Sequence, residues 1–374
     1  MPPATLFQYI VKRMIVALFS LFLALSVMIM LVDLVENMRF SGKAGGDFAF
    51  ALQLTLLRTP ALTQAMAPFI FLFAAMWMFY QLNRRSELAI MRSAGLSVWR
   101  LVGPAALVAA LGGFLIIIVA DPLAARMMSY GDTMKNDIRG KTSSLMRVFG
   151  DGIWLRQRDE AETLLINADN FDPVDGVLKD VTVWRLSPDS AFEERIDAPE
   201  ATLSGRTIEL HQALMKAHGE QVSRRTPVYS VPTRLTLADL RESVPPPETM
   251  SIWDLPRFIL LAEAAGLPTV RYDIRFHDLC STPLKLVAMV LIAAIFSLGP
   301  LRSGGAMKLA AAAIGSGFGL YLLSELSSAL GETEKAPVAL AAWAPALIVT
   351  IIAVSSLLRR RGVNRKTGIG KHGA

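Results

Sequence analysis

The sequence predicts an α-helical polytopic membrane protein of six transmembrane helices, with an extracytoplasmic β domain inserted between the third and fourth. Three observations predict it: apolar stretches long enough to cross a bilayer, a long polar insertion with alternating residues, and charges that agree with six crossings. The 374 residues are 53% apolar and only 19% charged, against a usual ~25% charged. A soluble enzyme's surface needs more charge than this. The one cysteine, Cys280, forbids an intrachain disulfide, so any part in an oxidising compartment stands on its own core.

Met14 to Val32 carries no charge, and at 1.5 Å per residue it reaches roughly the 30 Å of a bilayer core. Lys12 and Arg13 before it would suit a signal peptide, but the apolar region of such a peptide usually ends at about 15 residues. The second uncharged stretch is Thr59 to Asn83 and the third is Leu101 to Ala120. The pattern returns from Leu279 to Pro300, interrupted by Lys285, then from Leu309 to about Leu330, and finally from Pro337 to Leu358.

Basic residues orient these spans. Lys12 and Arg13 precede the first, Arg84, Arg85, Arg92 and Arg100 against Glu87 separate the second and third, and Arg302 and Lys308 separate the fourth and fifth. Arg359, Arg360, Arg361, Arg365, Lys366 and Lys371 follow the sixth, with no acid among them. Six crossings put all these segments on one side, so the positive-inside rule places both termini in the cytoplasm.

Residues 121–278 then lie outside the cytoplasm as one domain, between a first membrane segment at 1–120 and a second at 279–374. Short alternating runs such as Gly152–Gln157, Thr163–Asn167, Val181–Leu186, Thr207–His211 and Thr233–Leu237 are separated by Asp, Pro and Gly turns, which reads as a β-sandwich or jelly roll. Flanking helices are expected over Pro122 to about Lys141 and over Ser251 to Ala265, with Ser251 as cap and Gly266 as stop. The formal charge of +6 divides accordingly: the insertion has 19 basic and 25 acidic residues, and the remainder 19 and 7. The basic excess belongs to the membrane half, so nucleic acid is not needed to explain it.

The residues offer little for catalysis, and no catalytic residue, metal site or cofactor is assigned. His211, His218, His277 and His372 lack zinc-ligand spacing. Gly140-Lys141-Thr142 lacks the earlier glycine of a phosphate loop, Lys135 standing in its place. Gly315, Gly317 and Gly319 lie inside an apolar span, where small residues serve close helix packing. A membrane-anchored enzyme would need a nucleophile and base in 121–278, and a scaffold would bind neighbours at an exposed strand edge.

The loop Arg84-Arg-Ser-Glu-Leu-Ala-Ile-Met-Arg-Ser-Ala-Gly95 reads as a short helix. Ser86 can cap it, Glu87 suits its first turn, Leu88 and Met91 form an apolar edge, and Gly95 stops it. Such a helix suits docking into a partner's groove; a tight turn whose arginines only satisfy positive-inside is the plain alternative.

This loop resembles the coupling helix of the LptF/LptG permeases, and Gly299-Pro-Leu-Arg-Ser303 resembles the LptG branch of that family. The three-plus-three arrangement around the insertion is similar as well. The resemblance implies a permease subunit of the ABC transporter that extracts lipopolysaccharide from the bacterial inner membrane. It implies a jelly roll in the periplasm and, as partners, an LptF permease, an LptB ATPase dimer and LptC. Glu87 would contact the ATPase, with Arg84, Arg85, Ser86, Leu88, Met91, Arg92 and Gly95 shaping that contact; ATP would be hydrolysed in the partner. The paralogous LptF half and a membrane scaffold are the alternatives.

The implied substrate carries acyl chains and anionic phosphates, so its site should be apolar with a basic outer rim. Arg39, Lys43 and Arg126 are the candidates at that height, with interfacial snorkelling or a helix-surface charge as their plain reading. Met30-Leu-Val-Asp33 puts an acid where the family often has lysines. Lys285 and Glu325 are costly in lipid and should face a cavity or a partner, or form a packed polar pair.

Overall fold

The computed structural model describes residues 3–94, 96–138, 147–149, 152–158, 163–172, 176–187, 191–205, 207–217, 224–233, 245–298 and 305–366. Gly95, Gly140-Lys141-Thr142, His218, residues 234–237, the Gly299–Ser303 motif and the tail beyond residue 366 lie outside these. The chain forms two compact units, one of residues 1–128 with 274–374 and one of Ser129–Asp273.

The first unit is helical. Helix α1 (Pro3–Ala44) runs 42 residues, about 63 Å at 1.5 Å per residue and twice a bilayer core. It continues well past the apolar stretch because nothing between residues 4 and 41 is proline or glycine. Leu6, Ile10, Met14 and Ala17 recur on one face and are buried, while Phe19, Val32 and other large apolar side chains are exposed, as suits contact with lipid.

The second apolar stretch does not form one straight helix, contrary to expectation. Helix α2 (Phe48–Ala65) starts under Asp47, whose side chain accepts from the Phe50 N–H, and α3 (Ala67–Arg84) leaves it at 62°. The break at Met66 precedes Pro68, which has no N–H to donate and whose ring would collide with the carbonyl four residues earlier.

The short α4 (Glu87–Ser93) follows, then α5 (Val98–Leu115), capped by the Ser97 hydroxyl. A single π turn, Ile116–Ala120, carries α5 into α6 (Asp121–Ile138), so the third apolar stretch and the first flanking helix are continuous. Helix α7 (Leu255–Ala264) belongs to the second unit, and α8 (Val270–Ser297), α9 (Gly305–Glu332) and α10 (Val338–Lys366) complete the helices.

Among the described residues four helices are long and apolar enough to cross a membrane, or five with α2–α3 as one bent span. The sequence led us to expect six. The expected span from Leu309 to about Leu330 lies in α9 and is not among those four or five.

Glycines set close approaches in this unit. A Cβ on Gly113 would lie 2.4 Å from the Pro283 Cα, so α5 and α8 touch backbone to backbone. A Cβ on Gly317 would lie 2.4 Å from a Leu72 methyl, whereas Gly315 and Gly319 face open space. Of these three glycines only the middle one is closely packed, and near the end of α9 a Cβ on Gly331 would lie 2.9 Å from the Ala341 Cβ. Phe71, Leu72, Phe79, Leu82, Leu101 and Leu286 lie in the core these helices enclose.

The second unit is the β domain. Strands β1 (Arg147–Phe149), β2 (Gly152–Arg158), β3 (Thr163–Asp172), β4 (Val177–Leu186), β5 (Phe192–Ser204), β6 (Thr207–Ala217) and β7 (Arg224–Pro232) form one antiparallel sheet. Each strand pairs with its sequence neighbours. An antiparallel β domain was expected, but the described strands run as a meander and include none of the crossovers of a jelly roll. Alternation sends Leu164, Ile166 and Ala168 of β3, with Val181 and Val183 of β4, to a buried face.

Helix α7 and the residues just after it share that apolar cluster through Ala262, Ala265 and Leu267. It starts at Leu255 rather than Ser251, because the Ser251 hydroxyl donates to the Asp254 carboxylate at 2.6 Å and closes a turn ahead of the helix. It does end at Gly266, with φ +73° and Asn170 so close that any Cβ would collide.

Candidate coupling site and cationic rim

In α4 the residues of the predicted short helix divide into an inner and an outer face. Leu88 is 3% exposed within the helical core and Met91 packs partly buried against it, so the apolar edge expected to dock elsewhere is already used by this chain. Arg84, Arg85, Ser86, Ala89 and Ser93 are exposed, as is Ile90, at 67%. Ile90 was missed in the sequence because Leu88 and Met91 already satisfied an i, i+3 edge; the signal for it was a large apolar residue left off that edge.

Ser86 does not cap with its hydroxyl in the expected way. It sits at φ +57°, in the left-handed region rather than the extended region of a side-chain cap. Its carbonyl starts the helix by accepting from the Ile90 N–H at 3.1 Å. The side chain of Arg92 is outside the described set.

Glu87 faces inward to α1. The Tyr9 hydroxyl donates to its Oε2 at 2.7 Å, and the Arg13 guanidinium lies 3.5 Å from its Oε1. Arg13 also donates to Gln81 Oε1 at 3.3 Å and sits 4.9 Å from the centre of the Tyr9 ring. The Glu87 side chain is 27% exposed. A hydrogen bond to a charged group is worth about 1.5–3 kcal/mol and a part-exposed ion pair about 0–1 kcal/mol. Tyr9 therefore does more of the holding than Arg13.

Near the other end of α1, Asp33 and Asn37 are 5% and 1% exposed, and Ser41 is buried with them. Spaced four apart, they share one face. Arg58 donates to Asp33 at 3.1 Å, Asn37 to Asp33 and Thr55 at 2.7 and 3.0 Å, and Ser41 to the Asp47 carbonyl at 2.9 Å. The Asp33 carboxylate is thus neutralised within the chain by α2. A second buried acid, Asp121, accepts from Arg275 at 3.1 Å and Gln64 at 3.0 Å.

Arg39 and Lys43 sit one turn apart on α1 and are exposed, as is Arg126 on α6. Below Arg39, the exposed side of α1 carries Met28, Leu31, Val32 and Val35. That side offers apolar contact topped by two cations. Lys285 pairs with Asp278 two turns back on α8, the packed polar pair expected as its plain reading, while Glu325 is exposed on α9.

In the β unit a cavity of about 950 Å³ is lined by Asp169, Asp180 and Asp197 with Arg225 as its cation. An acidic lining disfavours an anionic headgroup. His211 bonds the Thr202 hydroxyl at 3.2 Å, and among the described residues no group of three or more His, Cys, Asp or Glu could hold a metal ion.

These features define a class: a multi-pass membrane protein with an inserted antiparallel β domain and a short helix in one of its interhelical loops. The chain belongs to the lipopolysaccharide export system permease LptF/LptG family, whose model matches residues 8–360. It is 24% identical to the lipopolysaccharide export system permease protein LptG of Haemophilus influenzae, over 96% of this chain and 99% of that one. It is 23% identical to the LptG of Escherichia coli K12, with the same two shares covered. Lipopolysaccharide export through a permease is therefore the activity of its family.

Proposed function

We propose that this chain is the LptG half of an ABC transporter in the inner membrane that extracts lipopolysaccharide and passes it toward the outer membrane. An LptF permease, an LptB ATPase dimer and LptC would be its partners. The chain would cross the membrane six times, with α2–α3 as one bent span and α9 as the fifth. Both termini would be cytoplasmic and the β domain periplasmic. Loss of lipopolysaccharide release together with loss of the ATPase would follow from deleting residues 87–93.

The observation that carries this reading is α4. Its inner face is packed on the chain and its acid is fixed, so the outer face of Ala89, Ile90 and Ser93, with Arg84 and Arg85 just ahead of it, is left for the ATPase. The cationic rim of Arg39 and Lys43 above an apolar side of α1 supports a lipid with phosphates as the cargo, with Arg126 as a further candidate. The test is Glu87→Ala in the reconstituted complex. The folded complex should persist while lipopolysaccharide release and stimulated ATP hydrolysis fall; wild-type values for both would overturn the assignment.

A further inference from the structure

Resting on the reading of α4 as the ATPase contact, we propose that Tyr9 and Arg13 are positioning residues that fasten α4 to α1, so that displacement of α4 moves α1. Both Glu87 carboxylate oxygens face α1, one taken by the Tyr9 hydroxyl at 2.7 Å and the other by Arg13 at 3.5 Å. Tyr9 and Arg13 are one turn apart, so a single edge of α1 carries the whole attachment. Arg13 also holds Gln81 of α3, so its guanidinium joins three helices.

Helix α1 can transmit what it receives. It has no proline or glycine from residue 4 to residue 41, and Tyr9 and Asp33 are 24 residues apart, about 36 Å along the axis. Its Asp33 end is fastened to Arg58 and Thr55 of α2, through Asp33 and Asn37. The Tyr9 end is the looser of the two. A cavity of about 400 Å³ opens beside it, lined by Lys12, Val16 and Trp77 as well as Tyr9 and Arg13, and gives these side chains room to shift. A pull on Glu87 would tilt or slide α1 against its fixed end. The same helix bears the exposed Arg39 and Lys43, so the motion would reach the proposed rim.

The experiment reconstitutes the full permease pair with its ATPase in lipid vesicles and counts lipopolysaccharide molecules released per ATP. Tyr9→Phe should keep the folded complex and ATPase co-purification, yet lower that ratio by roughly tenfold, the factor carried by a hydrogen bond to a charged group. Arg13→Gln should lower it as well, and Arg13→Lys should recover part of the loss. If Tyr9→Phe and Arg13→Gln both keep the wild-type ratio while Glu87→Ala loses it, the fastening is structural only and the inference fails. A wild-type ratio in Glu87→Ala would overturn the fastening as well, whereas a wild-type ratio with full ATPase co-purification in Ile90→Asp, on the outer face, would overturn the reading of α4 itself.

Discussion

The two ends of α1 are both held by polar groups, and they are held differently. Toward its C-terminal end, Asp33, Asn37 and Ser41 are buried and bonded to α2 and the turn before it. At the N-terminal end, Glu87 of α4 keeps a quarter of its side chain exposed and is held by one short hydrogen bond and one longer ion pair. Buried charges cannot be separated cheaply, because a lone one loses both its partner and water. A part-exposed carboxylate can exchange its partner for solvent. The difference makes one end a structural clamp and the other a breakable contact, which is what the proposed coupling role of α4 would require.

The largest expected effect breaks the clamp. Arg58→Ala leaves Asp33 buried without its cation and should destabilise the protein by about 3–5 kcal/mol, read as a lowered thermal midpoint in detergent. Pairing it with Asp33→Asn should restore most of the loss, since the charge is then gone. Next comes the backbone contact between α5 and α8. Gly113→Val forces atoms against the Pro283 Cα and should cost about 1–3 kcal/mol or more, whereas Gly317→Ala, which meets only the end of the Leu72 side chain, should cost less.

Tyr9→Phe sharpens the comparison from the other side: its stability change should stay below that of Arg58→Ala. Smallest is the pair Arg39→Glu and Lys43→Glu, whose exposed positions should keep stability within about 0.5 kcal/mol. Crosslinking to lipopolysaccharide should nevertheless fall in that pair. Undiminished crosslinking would remove the rim from the site.

How much of this was legible in the sequence depended on how local the signal was. The apolar stretches and the runs that became β2, β3, β4 and the start of β6 could be read directly, since alternation and span length are properties of neighbours. Strand β5 was not legible, because Phe192–Ser204 carries Glu193, Glu194, Arg195, Asp197 and Glu200 on a strand whose buried side offers only Ile196, Ala198 and Ala201. Strand β7 was hidden by Arg224, Arg225 and Pro227. The break at Met66 could be suspected from Pro68, but apolar content masked it.

The candidate site was legible by residue and not by direction. Glu87 stood out as the one acid in a basic loop, yet nothing local says that it turns toward Tyr9 and Arg13, more than seventy residues earlier. For the same reason Leu88 and Met91 looked available for a partner, and Ile90 did not. Which face of a seven-residue helix is free depends on what the rest of the chain packs against it.

That choice of face is the most direct test of the account. A photoreactive side chain placed at Ile90, and in a separate variant at Leu88, can be irradiated in the assembled complex and the crosslinked chains separated. The account predicts that position 90 captures the ATPase subunit and that position 88 captures only the permease chain itself. Capture of the ATPase from position 88, with none from position 90, would contradict it.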